Sequence, residues 1–577
     1  MPGLFPVKFE VISGITSYAI ISRFLKDLEK RKPNLTDIAT GSHEKTRLQI
    51  NRITIIKWAA SILGLLGFLE LGRAFLALFS PVVIDYCEMT VGGAAEQLRL
   101  GASLGDMYSP PVAAYGMPGV QYPPLFILLV AFIRAISGLG IILAERLPAW
   151  GLYTASGGLV GWIVWKETGQ KWAAIVSAGL PFCFWSVIIF IHAARVDPLA
   201  LFLSLLAAFV YRCSQSFKNL ALVSLLAALA FFSKQTYLAV TAAVFFDLLL
   251  SRPKDPVKTQ AAAWQVGFLK TLSPDGLRKA VSFGGMFLAW VVAGFGLFGW
   301  LSEGEIFGIF DPTRAGSFIF DKAPGFVGFF LLGHLPLILL ALYSLRQLWR
   351  EGQRFWTFYS GFAALACVTI VKDGAVDYYF NELAYLLALS VGLLVARMLK
   401  TSSESQLTPN SKTRSWPTGR LIGIGLAVQA VIALGMLIGW SPWKDFNASE
   451  APYRDGLALV NKAYQAEVSG EKPPLVLVDS FLIETGRASQ VGDYFIYSVL
   501  LRNGKRDATP LIKDLENRRY SLIITETFLR WPPEVEAALS KGYNSGSIKR
   551  TDGQIIYLIY RPVENPASGE NRTTYKR

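Results

Sequence analysis

Charge is what this sequence has least of. Only 17% of its 577 residues are Asp, Glu, Lys or Arg, against 52% hydrophobic residues that include 38 Phe. That balance excludes an ordinary soluble protein and points to a chain that crosses a membrane many times. Cysteine is short as well: of four, Cys183, Cys213 and Cys367 stand in or beside apolar runs and Cys87 stands alone in a polar stretch, so no disulfide framework is implied. Three histidines without ligand spacing supply no histidine-based metal site. No short apolar core with a small-residue cleavage site stands near the start, so the first span is expected to be its own insertion signal. The net charge of +14 suggests nucleic acid until its placement is read. Lys and Arg cluster beside apolar runs, as the positive-inside bias requires, and no nucleic-acid partner is expected.

What is present is a series of apolar runs. Those long enough to span, allowing for tilt, fall near 53–81, 146–165, 172–191, 196–211, 217–232, 235–250, 281–301, 325–345, 355–372, 383–399 and 420–440, eleven in all. The run 124–137 is short and close to the next. Lys166, Lys171, Arg212, Lys218, the 251–280 loop, Arg346 to Arg354 and the 397–420 stretch are all cytoplasmic only if 124–137 does not cross, which makes it a helix lying in the interface. The predicted topology in the plasma (inner) membrane has the N-terminus inside and the C-terminus outside. It puts 82–145, 192–195, 233–234, 302–324 and 373–382 together on the outer face. Residues 1–52 form a cytoplasmic segment in which Val11, Ile15, Tyr18, Ile21, Leu25 and Leu28 recur at helical spacing, as in an amphipathic helix on the membrane surface or packed on the protein.

That topology gathers the unexpected polar residues on one side. The first outer loop is Gly- and Pro-rich from Asp85 to Pro124 and carries the carboxylates Asp85, Glu88 and Asp106. With it come Arg195 and Asp197 in Ala-Arg-Val-Asp-Pro, Lys234 in Phe-Ser-Lys-Gln-Thr, Arg314, and Asp377 with Glu382 in Asp-Tyr-Tyr-Phe-Asn-Glu. Any one of these alone reads best as a helix-end charge snorkelling to water. Their shared face is what points to a site for a charged substrate. Glu70 and Arg73, one turn apart within the first span, read as a structural pair, and His334, deep in an apolar run, reads as hydrogen-bonded packing.

The order of these features resembles the bacterial members of the GT-C superfamily of membrane glycosyltransferases, which includes protein O-mannosyltransferases and the aminoarabinose transferase of lipid A. Those enzymes have an acidic motif soon after span one, then Gly-x-x-x-Tyr, then Tyr-Pro-Pro-Leu opening an interfacial helix. The corresponding residues here are Asp85 to Glu88, Gly105 with the nearby Tyr108, one residue closer than in that motif, and Tyr122 to Leu125. Arg195-x-Asp197, Lys234 closing a short helix, and the aromatic-x-Glu ending at Glu382 also match, so the resemblance covers about 53–400. The family's adjacent Asp-Glu pair is split here into Asp85 and Glu88, which leaves both open as the base.

The resemblance implies transfer of a sugar from a polyprenyl-phosphate donor to a lipid, glycan or protein acceptor at the outer face of the bilayer. The residues supply matching chemistry: a carboxylate, Asp85 or Glu88, to activate an acceptor hydroxyl, and Lys234 and Arg195, with Arg314 third, to hold the departing phosphate. Single displacement inverts the anomeric centre. Tyr108, Tyr122, Asp197, Asp377 and Glu382 complete the expected substrate site. No cofactor is named, and dependence on a divalent metal stays open.

The fold expected is a polytopic α-helical membrane protein of about eleven spans, with a catalytic module at 53–400 and a linker plus last span at 401–441. A small soluble α/β domain on the outer face follows at 442–577. Its strands are expected at 475–478, 522–525 and 555–560, and its helices at 453–467 and 532–541, the latter started by Pro532 and Pro533 and stopped by Gly542. Two other readings were weighed. A secondary transporter for a charged or sugar-like substrate predicts charges at the bilayer midplane and an internal repeat, whereas these charges sit at outer helix ends. A non-catalytic assembly protein leaves the converging acids and bases without a job.

Overall fold

The computed structural model describes residues 42–80, 82–83, 86–111, 113–251, 273–310, 318–407, 418–439, 442–527, 529–550 and 553–563. The expected N-terminal amphipathic helix, Asp85 and Arg314 lie outside the described residues. The membrane part starts with α1 (Ser42–Ala77), α2 (Tyr86–Arg99), α3 (Leu104–Tyr108), α4 (Leu125–Ser137) and α5 (Ile141–Thr168). It continues through α6 (Lys171–Gly179), α7 (Trp185–Phe190), α8 (Asp197–Cys213), α9 (Phe217–Ser233) and α10 (Ala239–Leu249). It closes with α11 (Pro274–Leu301), α12 (Ala323–Arg350), α13 (Phe355–Ala366), α14 (Asn381–Leu407) and α15 (Thr418–Gly439).

A helix stands at each of the apolar runs, and among the described residues five stretches are long and apolar enough to cross a membrane: Ile53–Ala77, Pro274–Leu301, Phe320–Arg350, Asp377–Lys400 and Gly419–Gly439. Burial sorts them. The apolar window of Asp377–Lys400 is 83% buried, so α14 is the central helix, whereas that of Pro274–Leu301 is 6% buried and turns Leu288, Val292 and Trp300 outward. Such exposure is stable only against lipid. The helices approach closely where side chains vanish: a Cβ on Gly67 would lie 1.9 Å from the Gly179 carbonyl oxygen, so α1 and α6 cross on bare backbone.

Three boundaries differ from the sequence reading. The helix expected from 146 begins at Ile141, so Glu145 and Arg146 lie inside it, fully buried, instead of marking its end. The run 172–191 is broken at Gly179 to Cys183 by a 3-10 turn holding Pro181, whose ring cannot continue an α-helix. The expected linker from 400 is helical through Leu407 before the description stops.

The helix ends sort by charge. On one face Arg212 pairs with Glu167 at 2.8 Å, Arg397 with Glu351 at 2.9 Å, and Arg354 donates to the Leu250 carbonyl. The opposite face holds the C-terminal domain: α16 (Pro442–Val468), β1 (Leu475–Leu477), α17 (Asp479–Glu484), α18 (Tyr494–Arg502), α19 (Thr509–Glu516), β2 (Ile523–Glu526), α20 (Pro533–Gly542), β3 (Tyr543–Lys549) and β4 (Ile555–Pro562). The sheet order is β1-β2-β4-β3, with β1 parallel to β2 and the other pairs antiparallel. The strand β3 has no apolar run to announce it, since Asn544 to Ser547 face solvent at the sheet edge.

Candidate active site

Two helix ends of opposite polarity meet on the domain-bearing face. Asp197 opens α8, where a carboxylate is favoured by the helix dipole and Pro198 loses no hydrogen bond. Lys234 closes α9, its N–H bonded to Ala230 O at 2.9 Å. Their side chains pair at 2.5 Å, and Arg195 Nε lies 3.7 Å from the second oxygen of the same Asp197. All three are buried, at 2, 1 and 2% exposure for Arg195, Asp197 and Lys234.

Aromatic rings cover the two cations. The Arg195 guanidinium carbon lies 3.6 Å from the centre of the Tyr378 ring and 5.2 Å from that of Phe190. Lys234 Nζ lies 4.1 and 4.4 Å from the rings of Tyr378 and Tyr379. Desolvated cation–π contacts of this kind contribute about 2 kcal/mol each and hold the cations without neutralising them. From the first turn of α2 comes Cys87, whose sulfur accepts from Arg195 Nη2 at 3.7 Å and meets the Tyr122 hydroxyl at 3.3 Å. The structure thus brings together Arg195, Asp197, Lys234 and Tyr122, and adds Cys87, Tyr378, Tyr379 and Phe190.

Glu88 is placed differently. Its carboxylate takes two bonds from Arg146, at 2.6 and 2.9 Å, and one from the Ala194 N–H at 3.1 Å. Arg146 spends its remaining donors on the carbonyls of Ser80 and Val82, each at 2.7 Å. Asp106 does not join the cations: it forms a capping box with Ser103 at the start of α3. Tyr108 is buried in a core with Phe126, Ile127 and Val130. Glu382, in the first turn of α14, accepts from the Tyr359 hydroxyl at 2.9 Å, and Asp377 faces the Trp185 indole. Two other structural readings hold: Glu70 pairs with Arg73 at 3.2 Å, and His334 accepts the Trp185 backbone N–H at 3.0 Å. Among the described residues no group of three His, Cys, Asp or Glu is placed to hold a metal ion.

The sequence reading missed Arg146, whose placement at a helix edge disguised it, and the cage tyrosines, whose motif was read only for its acids. A groove of about 380 Å³ lies elsewhere, between α5 and α6, lined by Gly158, Trp162, Trp165, Lys171 and Ile175. It shares no residue with the cation site.

No family model matches the chain, and no curated protein matches it. Solved structures do. The chain is similar to ArnT from Cupriavidus metallidurans in the apo state, with a TM-score of 0.51 at 12% identity over 86% of this chain and 97% of that one. The same enzyme bound to undecaprenyl phosphate matches with a TM-score of 0.46 at 15% identity, over the same shares. The apo oligosaccharyltransferase of Archaeoglobus fulgidus matches with a TM-score of 0.49 at 10% identity, over 87% of this chain and 74% of that one. The chain therefore shares the fold of ArnT over most of its length.

Proposed function

We propose that this protein transfers a sugar from a polyprenyl-phosphate donor to an acceptor hydroxyl at the outer face of the membrane. The observation that carries the reading is the meeting of Arg195 and Lys234 at the carboxylate of Asp197 under aromatic rings. Two cations set side by side in a water-poor pocket attract an anion strongly. A phosphate monoester, the group that leaves when such a donor is consumed, fits it. ArnT, of the same fold, is described bound to undecaprenyl phosphate, which agrees with this ligand class.

In the proposed step the acceptor oxygen attacks the anomeric carbon as the bond from that carbon to the phosphate oxygen breaks. The acceptor proton passes to a carboxylate, and the phosphate keeps the bonding electrons and stays on Arg195 and Lys234. Asp85 is the base in this reading. It lies two residues before Cys87, which touches Arg195, while Glu88 is occupied by Arg146 and Ala194. Attack opposite the leaving group inverts the sugar. The eleven-span topology, with the C-terminal domain outside, belongs to the same proposal.

The test incubates purified protein with defined polyprenyl-phosphate sugars and measures released polyprenyl phosphate. Release that disappears in Asp85→Asn while donor binding persists supports the reading. Release unchanged in Asp85→Asn assigns the base elsewhere, and no release from any donor tested speaks for a transporter.

A further inference from the structure

The C-terminal domain is joined to the membrane part by more than its linker. Three separate segments of the membrane part enter it, and each lies a few residues before a group of the candidate site. Ala77 and Val82 pack in one of its cores with Tyr453, Val460 and Phe481, just before Asp85 and Cys87. Ala113 and Met117 pack in a second core with Leu475, Tyr494 and Tyr497, just before Tyr122. Asp373 meets Arg502 at 3.9 Å, just before Asp377, Tyr378 and Tyr379.

The second segment is the most tightly held. Asp493 N–H donates to Pro118 O at 2.6 Å, and Tyr115 donates its hydroxyl to Asp514 at 2.8 Å while its ring stacks on Tyr497. Tyr115 adopts φ 57°, a left-handed conformation that a non-glycine residue keeps only when its surroundings impose it. A Cβ on Gly492 would approach Met117 Cβ to 3.0 Å, so any larger residue there presses the two segments apart. From α2, Gln97 donates to the carbonyls of Ala488 and Val491 at 2.8 and 3.3 Å.

The cations of the site are covered, so a phosphate reaches them only if Tyr122 or the Tyr378–Tyr379 pair moves. Both of these segments are anchored in the C-terminal domain. We propose that this domain is a working part of the site, a clamp that sets how Tyr122, Tyr378 and Tyr379 close over a bound polyprenyl phosphate. The proposal rests on the phosphate reading of Arg195 and Lys234. Because coupling is reciprocal, a ligand whose affinity depends on the clamp must also stabilise the clamp.

The experiment measures amide hydrogen exchange of the full-length purified protein with and without undecaprenyl phosphate. Slower exchange is expected in 230–237 and 376–382 at the site and, at a distance from it, in 113–120 and 488–497. Lys234→Met should abolish both effects. Gly492→Val should keep protection at 230–237 only at several-fold higher ligand concentration, and Tyr115→Phe, which removes one hydroxyl without adding bulk, should do the same more weakly. Protection at 230–237 with none at 488–497, together with unchanged affinity in Tyr115→Phe, overturns the clamp and leaves the phosphate site standing. No protection anywhere overturns both.

Discussion

Glu88 with Arg146 and Asp197 with Lys234 and Arg195 are buried ion clusters on the same face of the molecule, joined through the backbone of Ala194, and they are built on opposite plans. In the first, one cation meets the Glu88 carboxylate, with the buried Glu145 close to both, and the guanidinium also meets two backbone carbonyls. Such a cluster has no use for a further ion and fixes α2, α5 and the end of the first span in register. In the second, two cations share the Asp197 carboxylate, with aromatic faces and a thiol beside them. The balanced cluster holds structure, and the divided one is the proposed place for a ligand. The contrast separates Glu88 from Asp197 although both are buried acids beside an arginine.

Breaking the balanced cluster should cost the most stability. Arg146→Met leaves Glu88 buried without its cation, a loss of about 3–5 kcal/mol. It should lower the melting temperature of the detergent-solubilised protein far more than the Glu88→Gln, Arg146→Met double variant. Equal losses in the two would mean that the pair does not act as a unit. Breaking the divided cluster should do the reverse: Lys234→Met should keep the melting temperature and lower turnover on the order of 10²–10³-fold, the scale for removing one group that stabilises developing charge. Lys234→Arg should recover only part, since a flat guanidinium replaces a compact ammonium.

Two smaller effects sharpen the contrast. Cys87→Ala should lower turnover by about tenfold or less, with Cys87→Ser closer to the parent, because the thiol contributes one weak acceptor to Arg195. The third acid to compare is Asp493 in the C-terminal domain, whose carboxyl burial pushes up to about 7, against opposing help from the Ile496 N–H and Lys372. The folded pKa lies above the unfolded one, so this group's stabilising effect is complete below about pH 4 and is lost as pH rises through about 7. Asp493→Asn should flatten the fall in thermal stability between those limits, and an unchanged slope would show that another group titrates.

Much of this was legible in the sequence because hydrophobic length and charge placement are read directly. The apolar runs, the separation of charged ends onto two faces, the Glu70–Arg73 pair and the joining of Arg195, Asp197 and Lys234 all follow from them. The balanced partner of Glu88 was not legible. Arg146 opens what reads as an apolar run, and only the earlier start of its helix at Ile141 shows that it is interior. The roles of Tyr378 and Tyr379 were hidden for a different reason: an aromatic in an apolar chain carries no sign of the cation it will face. The polar edge strand β3 lacks any apolar pattern, and the embedding of 113–118 in the C-terminal domain is a long-range contact that local sequence does not encode.

The central claim is that Arg195 and Lys234 form a phosphate site. Equilibrium binding of undecaprenyl phosphate to the purified protein tests it most directly, with the parent compared with Lys234→Met and with the double variant Glu88→Gln, Arg146→Met. The account predicts that Lys234→Met loses most of the affinity while melting like the parent, and that the folded fraction of the double variant binds close to normally. Parent-like binding by Lys234→Met would contradict it, and the divided cluster would then be a structural pair like its neighbour.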